Sequence, residues 1–238
     1  MNHLEYYSYQ TQARGITGTD GIKDIARQRH HVYKQILFPA LPKDRSQRVV
    51  ELACGHGSLL WLLGQEGYTN ILGIDSSDEQ ITAAKLVCDN VEKEDVTAWL
   101  SKSSSDSVDA IVAIDLIEHI SKDDFMELLK ESKRVLVPGG RLIMRCPNGD
   151  SPFVGRNLFN DITHIWCYTT NCMRTLSKMH GYSSAVFSDE CDAQLTGARW
   201  WKIPVSKLAR GFLKSFVKTA SRENIEFWSP SIWAFLIK

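Results

Sequence analysis

The sequence predicts an open α/β sheet, mostly parallel, with helices on both faces. From Arg48 onward, short apolar runs alternate with segments of helical periodicity, which is the pattern of repeated β–α–β units. The run Val108–Ile114 is apolar at nearly every position, as expected of a strand buried on both faces. Ligands of such sheets bind outside the carboxyl ends of the strands, so the loops that follow the predicted strands are the candidate functional regions.

The predicted elements follow one another in chain order. Apolar positions at helical spacing predict a helix over 22–37 that ends before Pro39. Strands are predicted over 49–53, 71–75, 90–94, 108–114, 141–146, 182–188 and 231–237. Further helices are predicted over 59–65, 78–88, 123–137 and 170–180, with Ser77 capping the second and Pro138-Gly139-Gly140 ending the third.

Composition limits the class of protein. A chain of 238 residues, with 43% hydrophobic and 24% charged residues and zero formal net charge, suits one large globular domain. Its six cysteines form no C-x-x-C pair, so we expect reduced thiols and no disulfide framework. No signal peptide or membrane-spanning run is apparent. We therefore expect a cytoplasmic protein, and no nucleic-acid partner.

A glycine-rich turn, Glu51-Leu52-Ala53-Cys54-Gly55-His56-Gly57-Ser58, joins the first strand to a helix and predicts a nucleotide-like cofactor. The dinucleotide fingerprint requires a third glycine or alanine, but Leu60 stands there. Glu51 would also repel a pyrophosphate. S-adenosylmethionine carries a sulfonium and an ammonium, which a nearby carboxylate stabilises. It is therefore favoured over NAD, with Asp75 placed to accept hydrogen bonds from its ribose.

Five segments resemble, in order and spacing, the class I S-adenosylmethionine-dependent methyltransferases. They are VVELACGHGS, ILGIDSSDEQITAAK, KEDVTAWL, VDAIVAIDLIEHI and RVLVPGGRLIMRCPN. The resemblance implies a Rossmann-like, doubly wound sheet of seven strands, with the antiparallel last strand formed by SIWAFLIK. It also implies cofactor contacts at Glu51, Ala53, Gly55, Gly57, Asp75, Ser76, Asp95, Val96 and Asp115.

The segment after the fifth strand bears on the acceptor. It resembles a methyltransferase subgroup linked to bacterial cell-surface polysaccharide and glycan assembly, through Asn148, Pro152, Phe153, Asp161, Thr163, His164, Tyr168 and Thr169. The resemblance implies O-methylation of a sugar hydroxyl of a glycan or its precursor. A small-molecule methyltransferase, acting on quinone-like or secondary metabolites, is the alternative. A non-catalytic methyltransferase-like scaffold is an alternative of another class.

A sugar hydroxyl has a high pKa, so a positioned base helps its methylation. The candidate bases are His119, on the loop after the fourth strand, and His164, while Asp161 could orient an imidazole. Structural roles for both histidines remain open. The acids Asp115, Glu118 and Asp161 could serve a hard cation, but they form no dense carboxylate cluster, so we expect no metal.

Two flanking segments complete the predicted domain organisation. Residues 1–47, with Tyr6, Tyr7, Tyr9 and Arg14, are predicted as a helical lid, and residues 48–238 as the methyltransferase domain with an insertion over 190–225. Residues 199–222 carry seven basic residues, no acid and an apolar face at helical spacing. Such a helix suits the inner face of a membrane with anionic lipid. Packing on its own domain and binding a partner protein or anionic substrate are the alternatives.

Overall fold

The computed structural model describes residues 18–191, 193, 201–221 and 225–238. Within them lies one seven-stranded sheet with the order β3-β2-β1-β4-β5-β7-β6. The strands are β1 Val49–Leu52, β2 Ile71–Asp75, β3 Val91–Lys93, β4 Val108–Ile114, β5 Leu136–Pro147, β6 Ser184–Asp189 and β7 Ser231–Ile237. Strands β1 to β5 pair in parallel, and β7 is antiparallel to both β5 and β6.

Eight α-helices fall within the residues that the structure describes. They are α1 Gly18–Ile36, α2 Ser58–Gln65, α3 Asp78–Ala84, α4 Val96–Lys102, α5 Lys122–Val135, α6 Val154–Phe159, α7 Thr170–Met179 and α8 Ile203–Ser221. A short 3-10 helix, Phe38–Ala40, follows α1. The mixed sheet with its antiparallel β7 confirms the predicted fold class. None of the helices described is long and apolar enough to cross a membrane.

Alternation along the strands divides the core into two layers. Val50 and Leu52 point to one face of the sheet and pack in a buried cluster with residues of α4, α5 and α7. Val49 points to the other face and packs with α1, α2 and Trp233 of β7, because successive strand residues face opposite sides. The carboxyl ends of β1, β2 and β4 are thereby fixed between two packed helical layers.

The end predicted for the helix over 123–137 was wrong. Pro138-Gly139-Gly140 does not end a helix, since α5 stops at Val135 and β5 begins at Leu136. The pairing register between β4 and β5 shifts over this stretch, and Gly139 has φ 78°, so the glycines form an irregularity inside the strand. The helix predicted to reach Cys88 also ends earlier, at Ala84.

The structure describes only parts of the two flanking segments. Tyr6, Tyr7, Tyr9 and Arg14 lie outside the described residues, as do Arg199, Trp200 and Arg222. The helix α1 belongs to the same core as α2, and its Tyr33 packs edge-on against the Trp233 ring at 5.9 Å. The predicted basic helix is present as α8, and nine residues of the chain separate its end from the start of β7.

Candidate active site

The turn after β1 has backbone angles that favour glycine. Gly55 and Gly57 have φ of 53° and 80°, and Gly57 is the left-handed N-cap of α2. A Cβ on Gly57 would lie 3.0 Å from the Cβ of Ala84, so the turn approaches the α3 region closely. Ala53 also has a positive φ, of 54°, a conformation that is costly outside glycine and is found where a site requires it.

Leu60 stands where the dinucleotide fingerprint has its third glycine, and a glycine on the neighbouring strand leaves room for its side chain. A Cβ on Gly73 of β2 would lie 2.5 Å from Leu60 Cδ1 and 2.8 Å from Cys54 Sγ. The glycine that permits close packing is therefore on the neighbouring strand, while Leu60 supplies the bulk. Cys54 lies in the same small space, and burial raises the pKa of its thiol.

Two carboxyl groups flank this turn. Asp75 accepts hydrogen bonds from the Gly55 N–H and the Ser77 N–H, each at 2.9 Å. Glu51 is buried, and its Oε2 has no hydrogen-bond partner among the described residues. Burial, followed by the nearby charge of Asp75, raises the pKa of Glu51 well above its usual value. An unpaired buried carboxyl beside a glycine cradle fits a cationic ligand better than a phosphate.

The remaining predicted cofactor residues lie at the ends of neighbouring strands. Ser76 is exposed directly after β2. Asp95 is the N-cap of α4, where its Oδ1 accepts from the backbone N–H groups of Thr97 and Ala98. Burial acts to raise the pKa of Asp95, but these hydrogen bonds outweigh it and lower the pKa. Val96 begins α4 and is half-buried.

Asp115 is exposed directly after β4 and belongs to an ionic network that sequence reasoning missed. It has φ 52° and forms an ion pair with Arg145 of β5. The Arg145 Nε also donates to Glu190 at 2.5 Å, and the Trp233 indole N–H donates to the same carboxylate oxygen at 2.9 Å. Arg145 and Glu190 are both buried. The signal in the sequence is Arg145 itself, a charged residue that directly follows the apolar run Leu142-Ile143-Met144 of β5.

The two predicted histidines meet although they are distant in the chain. Their ring centroids are 4.5 Å apart. The loop of His164 docks on the loop of His119 because the Ile165 N–H donates to the Glu118 carbonyl at 2.9 Å and the Trp166 indole N–H to the Ile120 carbonyl at 2.9 Å. Burial, followed by repulsion from His164, lowers the pKa of His119 to about 4.

Hydrogen bonds orient both rings. The Nδ1 of His119 lies 2.9 Å from Thr163 Oγ1, which itself donates to Asp161 Oδ1 at 2.6 Å. The Nδ1 of His164 lies 3.1 Å from the Leu158 carbonyl. Glu118, which sequence reasoning weighed only as a ligand of a hard cation, is buried beside them, with Oε1 4.0 Å from His164 Nε2. These three side chains are therefore the candidates for either proton transfer or metal binding.

Other residues of the same segment have structural roles. Asn148 is buried and donates to the Phe227 and Ser229 carbonyls. Tyr168 packs against Phe125, and Thr169 caps α7 by accepting from the Cys172 N–H. These contacts tie the segment to α5 and to the residues that precede β7, and they thereby position the loop that carries Asp161 and His164.

Comparison with known proteins places the chain in a family. A family model described as a methyltransferase domain matches residues 25–186. That is more than half of the chain, and the chain therefore belongs to this family. A segment is also 32% identical over 124 residues to an uncharacterized 37.1 kDa protein in transposon TN4556 of Streptomyces fradiae, covering 50% of this chain and 35% of that protein.

Solved structures share the fold. A SAM-dependent methyltransferase from Archaeoglobus fulgidus superposes with a TM-score of 0.72 at 17% identity, covering 98% of this chain and 100% of that one. Geranyl diphosphate C-methyltransferase from Streptomyces coelicolor A3(2), in complex with Mg2+, geranyl diphosphate and S-adenosyl-L-homocysteine, gives 0.56 at 14% identity, covering 92% and 82%. The chain therefore belongs to a methyltransferase family, as predicted, and it shares its fold with S-adenosylmethionine-dependent methyltransferases.

Proposed function

We propose that the protein methylates a hydroxyl oxygen. The observation that carries this proposal is the meeting of His119, His164 and Glu118 on two docked loops, one of which follows β4. A hydroxyl is a weak nucleophile until its proton is removed, so its methylation benefits from a positioned base. Two imidazoles and a carboxyl within one cluster supply proton-accepting groups at the edge of the sheet where ligands of this fold bind.

The methyl donor is expected at the turn after β1. When bound, S-adenosylmethionine supplies an electrophilic methyl group on a sulfonium. In this proposal the Gly55 to Gly57 turn lets the backbone approach it, Glu51 offsets its positive charge, and Asp75 accepts from its ribose hydroxyls. Ala53, Ser76, Asp95, Val96 and Asp115 complete the proposed contacts. Alignment of donor and acceptor then contributes a large part of the rate enhancement.

For the acceptor, we favour a sugar of a bacterial cell-surface glycan or its precursor. The support is the resemblance of the segment from Asn148 to Thr169, in which Asp161 orients His119 through Thr163. A second candidate is a quinone-like or other apolar small molecule. It is favoured by the exposed apolar side chains of Phe159, Ile162 and Ile165, which flank the histidine loop and could cover an apolar ring.

A transfer assay with isotope-labelled methyl donor separates these acceptors. The panel contains free and nucleotide-linked monosaccharides, catechols and quinols, and amines that carry no hydroxyl group. We expect labelled methyl ether on the sugars. Labelling of the catechols and quinols alone would support the second candidate, whereas methylation of amines alone would contradict hydroxyl transfer. In the productive reaction, His164→Ala should lower turnover and His31→Ala, at an exposed histidine of α1, should not.

We also propose that α8 contacts anionic membrane lipid. Val205, Leu208, Phe212 and Phe216 recur at helical spacing and are 62% to 78% exposed. Their apolar stripe lies opposite the basic residues Lys207, Arg210, Lys214 and Lys218, and α8 contains no acid. A helix with one exposed apolar face and one basic face suits the interface of an anionic bilayer.

Flotation with vesicles tests this contact. The protein should float with vesicles that contain anionic lipid and remain at the bottom with neutral vesicles. The double variant Lys214→Gln/Lys218→Gln should float less, while Lys34→Gln/Lys85→Gln, which removes two exposed lysines elsewhere, should behave as the unchanged protein. Absence of any lipid dependence would favour the two alternatives, packing on the domain or binding a partner.

A further inference from the structure

We propose that Glu118, His119 and His164 form a binding site for a divalent transition-metal cation. Each side chain offers one ligand atom, and the three atoms lie within 4.8 Å of one another. Two ligands of one tetrahedral metal, each about 2.1 Å from it, are separated by about 3.4 Å. Shifts of under about 1 Å in these side chains would therefore bring all three atoms into coordination.

A second observation points to a ligand at this place. Glu118 is 2% exposed, and its Oε2 is buried without a hydrogen-bond partner among the described residues. A buried polar atom without a partner is costly. Since the two imidazoles lie next to this carboxyl, a cation held between them would satisfy the unpaired oxygen.

The hydrogen bonds around the two rings resemble the outer shell of a metal site. The Leu158 carbonyl can only accept, so Nδ1 of His164 carries the proton and its Nε2 presents a lone pair toward Glu118. Thr163 Oγ1 donates to Asp161, so it accepts from Nδ1–H of His119. Metal-bound histidines commonly donate their other ring N–H to a carbonyl or a carboxylate, here directly or through one hydroxyl.

The surrounding charges also favour a cation. Asp115 and Asp161 both act electrostatically on Glu118. The nearby positive charge of Arg145 is already paired with Asp115 and Glu190. Two imidazole nitrogens and one carboxylate oxygen suit zinc, iron, cobalt or manganese better than magnesium or calcium, which prefer oxygen ligands throughout.

The inference differs from the expectation of no metal drawn from the sequence. That expectation considered only the acids Asp115, Glu118 and Asp161, whereas the structure combines one of them with two histidines from separate loops. The proposed metal site rests on the proposed function only for its role. In that role the cation would hold the acceptor hydroxyl and lower its pKa. Cation binding itself can be measured without any acceptor.

The test is titration of the chelator-treated, desalted full chain with Co2+, Zn2+ and Mn2+ by calorimetry, with Co2+ also followed by visible absorption. We expect one equivalent to bind and the cobalt spectrum to show nitrogen ligation. Affinity should fall by about 100-fold or more in Glu118→Gln and in His164→Gln. It should fall about 10-fold or more in Asp161→Asn, which acts through Thr163.

Two control variants remove the same groups from exposed positions. His31→Gln and Glu92→Gln should bind the cation as the unchanged protein does. The proposal is overturned if none of the three cations binds at one equivalent, or if binding is equal in all variants. S-adenosylmethionine binding by each variant shows that it is folded. Hydroxyl methylation by a protein that binds no cation would remove this inference and leave the proposed function standing.

Discussion

Replacement of Asp75 by asparagine tests the geometry of the cofactor pocket. The two carboxylate oxygens accept the Gly55 and Ser77 N–H groups at 2.9 Å. An amide of the same shape keeps one oxygen and turns an NH2 donor toward the other N–H. One of these N–H groups therefore loses its acceptor, and the turn that should contact the methyl donor is disturbed.

General hydrogen-bond energies give the expected size of both effects. A hydrogen bond to a charged group contributes about 1.5–3 kcal/mol, so loss of one ribose hydrogen bond should weaken binding about 10- to 150-fold. Stability should change less. Burial raises the pKa of Asp75, so the neutral amide also removes a desolvation cost, and we expect a loss of about 1 kcal/mol in unfolding free energy.

Calorimetry with S-adenosylmethionine and urea unfolding measure the two quantities separately. The matched control is Asp78→Asn, since the Asp78 side chain is 82% exposed and pairs with Lys93 on the surface. The control should bind the methyl donor normally. An affinity of Asp75→Asn within threefold of the unchanged protein, a threshold of roughly 0.7 kcal/mol, would show that Asp75 does not contact the ribose.

Three further predictions concern the same region. Affinity for S-adenosylmethionine should rise with pH, because binding of a cation requires the raised-pKa Glu51 to release its proton; calorimetry in two buffers should detect that proton, and Glu51→Gln should abolish it. Gly73→Ala should cost about 1–3 kcal/mol of unfolding free energy by overpacking against Leu60, and Leu60→Ala should cost less in its presence than alone; additive costs in urea unfolding would contradict that contact. His164→Ala should lower turnover by about 100-fold or more in a transfer assay with unchanged donor affinity; equal turnover would remove His164 from the reaction.

The bounds of strands were predicted best where residues of another type flank an apolar run on both sides. β2, β4 and β7 have the predicted bounds, because each is an apolar run between polar or turn residues. The helix α4 was not predicted: its N-cap Asp95 was considered only as a ligand of the cofactor, although it also accepts from Thr97 and Ala98. Gly139 and Gly140 were predicted to end a helix, but they belong to an irregular part of β5.

Some of the contacts in the candidate site were likewise predictable from the sequence, and others were not. Glu51, Gly55, Gly57 and Asp75 are close in the chain or end adjacent strands, so their proximity follows from the order of elements. The contact between the loops of His119 and His164 depends on hydrogen bonds such as that from Ile165 to Glu118. No periodicity encodes such a contact between irregular segments. The pairing of Arg145 with Glu190 is equally a product of tertiary packing.

The central claim is that the turn after β1 holds a cationic, phosphate-free cofactor. Calorimetry of the full chain with S-adenosylmethionine and with NAD tests it most directly. We expect binding of S-adenosylmethionine at one equivalent and no detectable binding of NAD, because Glu51 is buried at this turn with an oxygen that has no hydrogen-bond partner among the described residues. Binding of NAD without S-adenosylmethionine would contradict it.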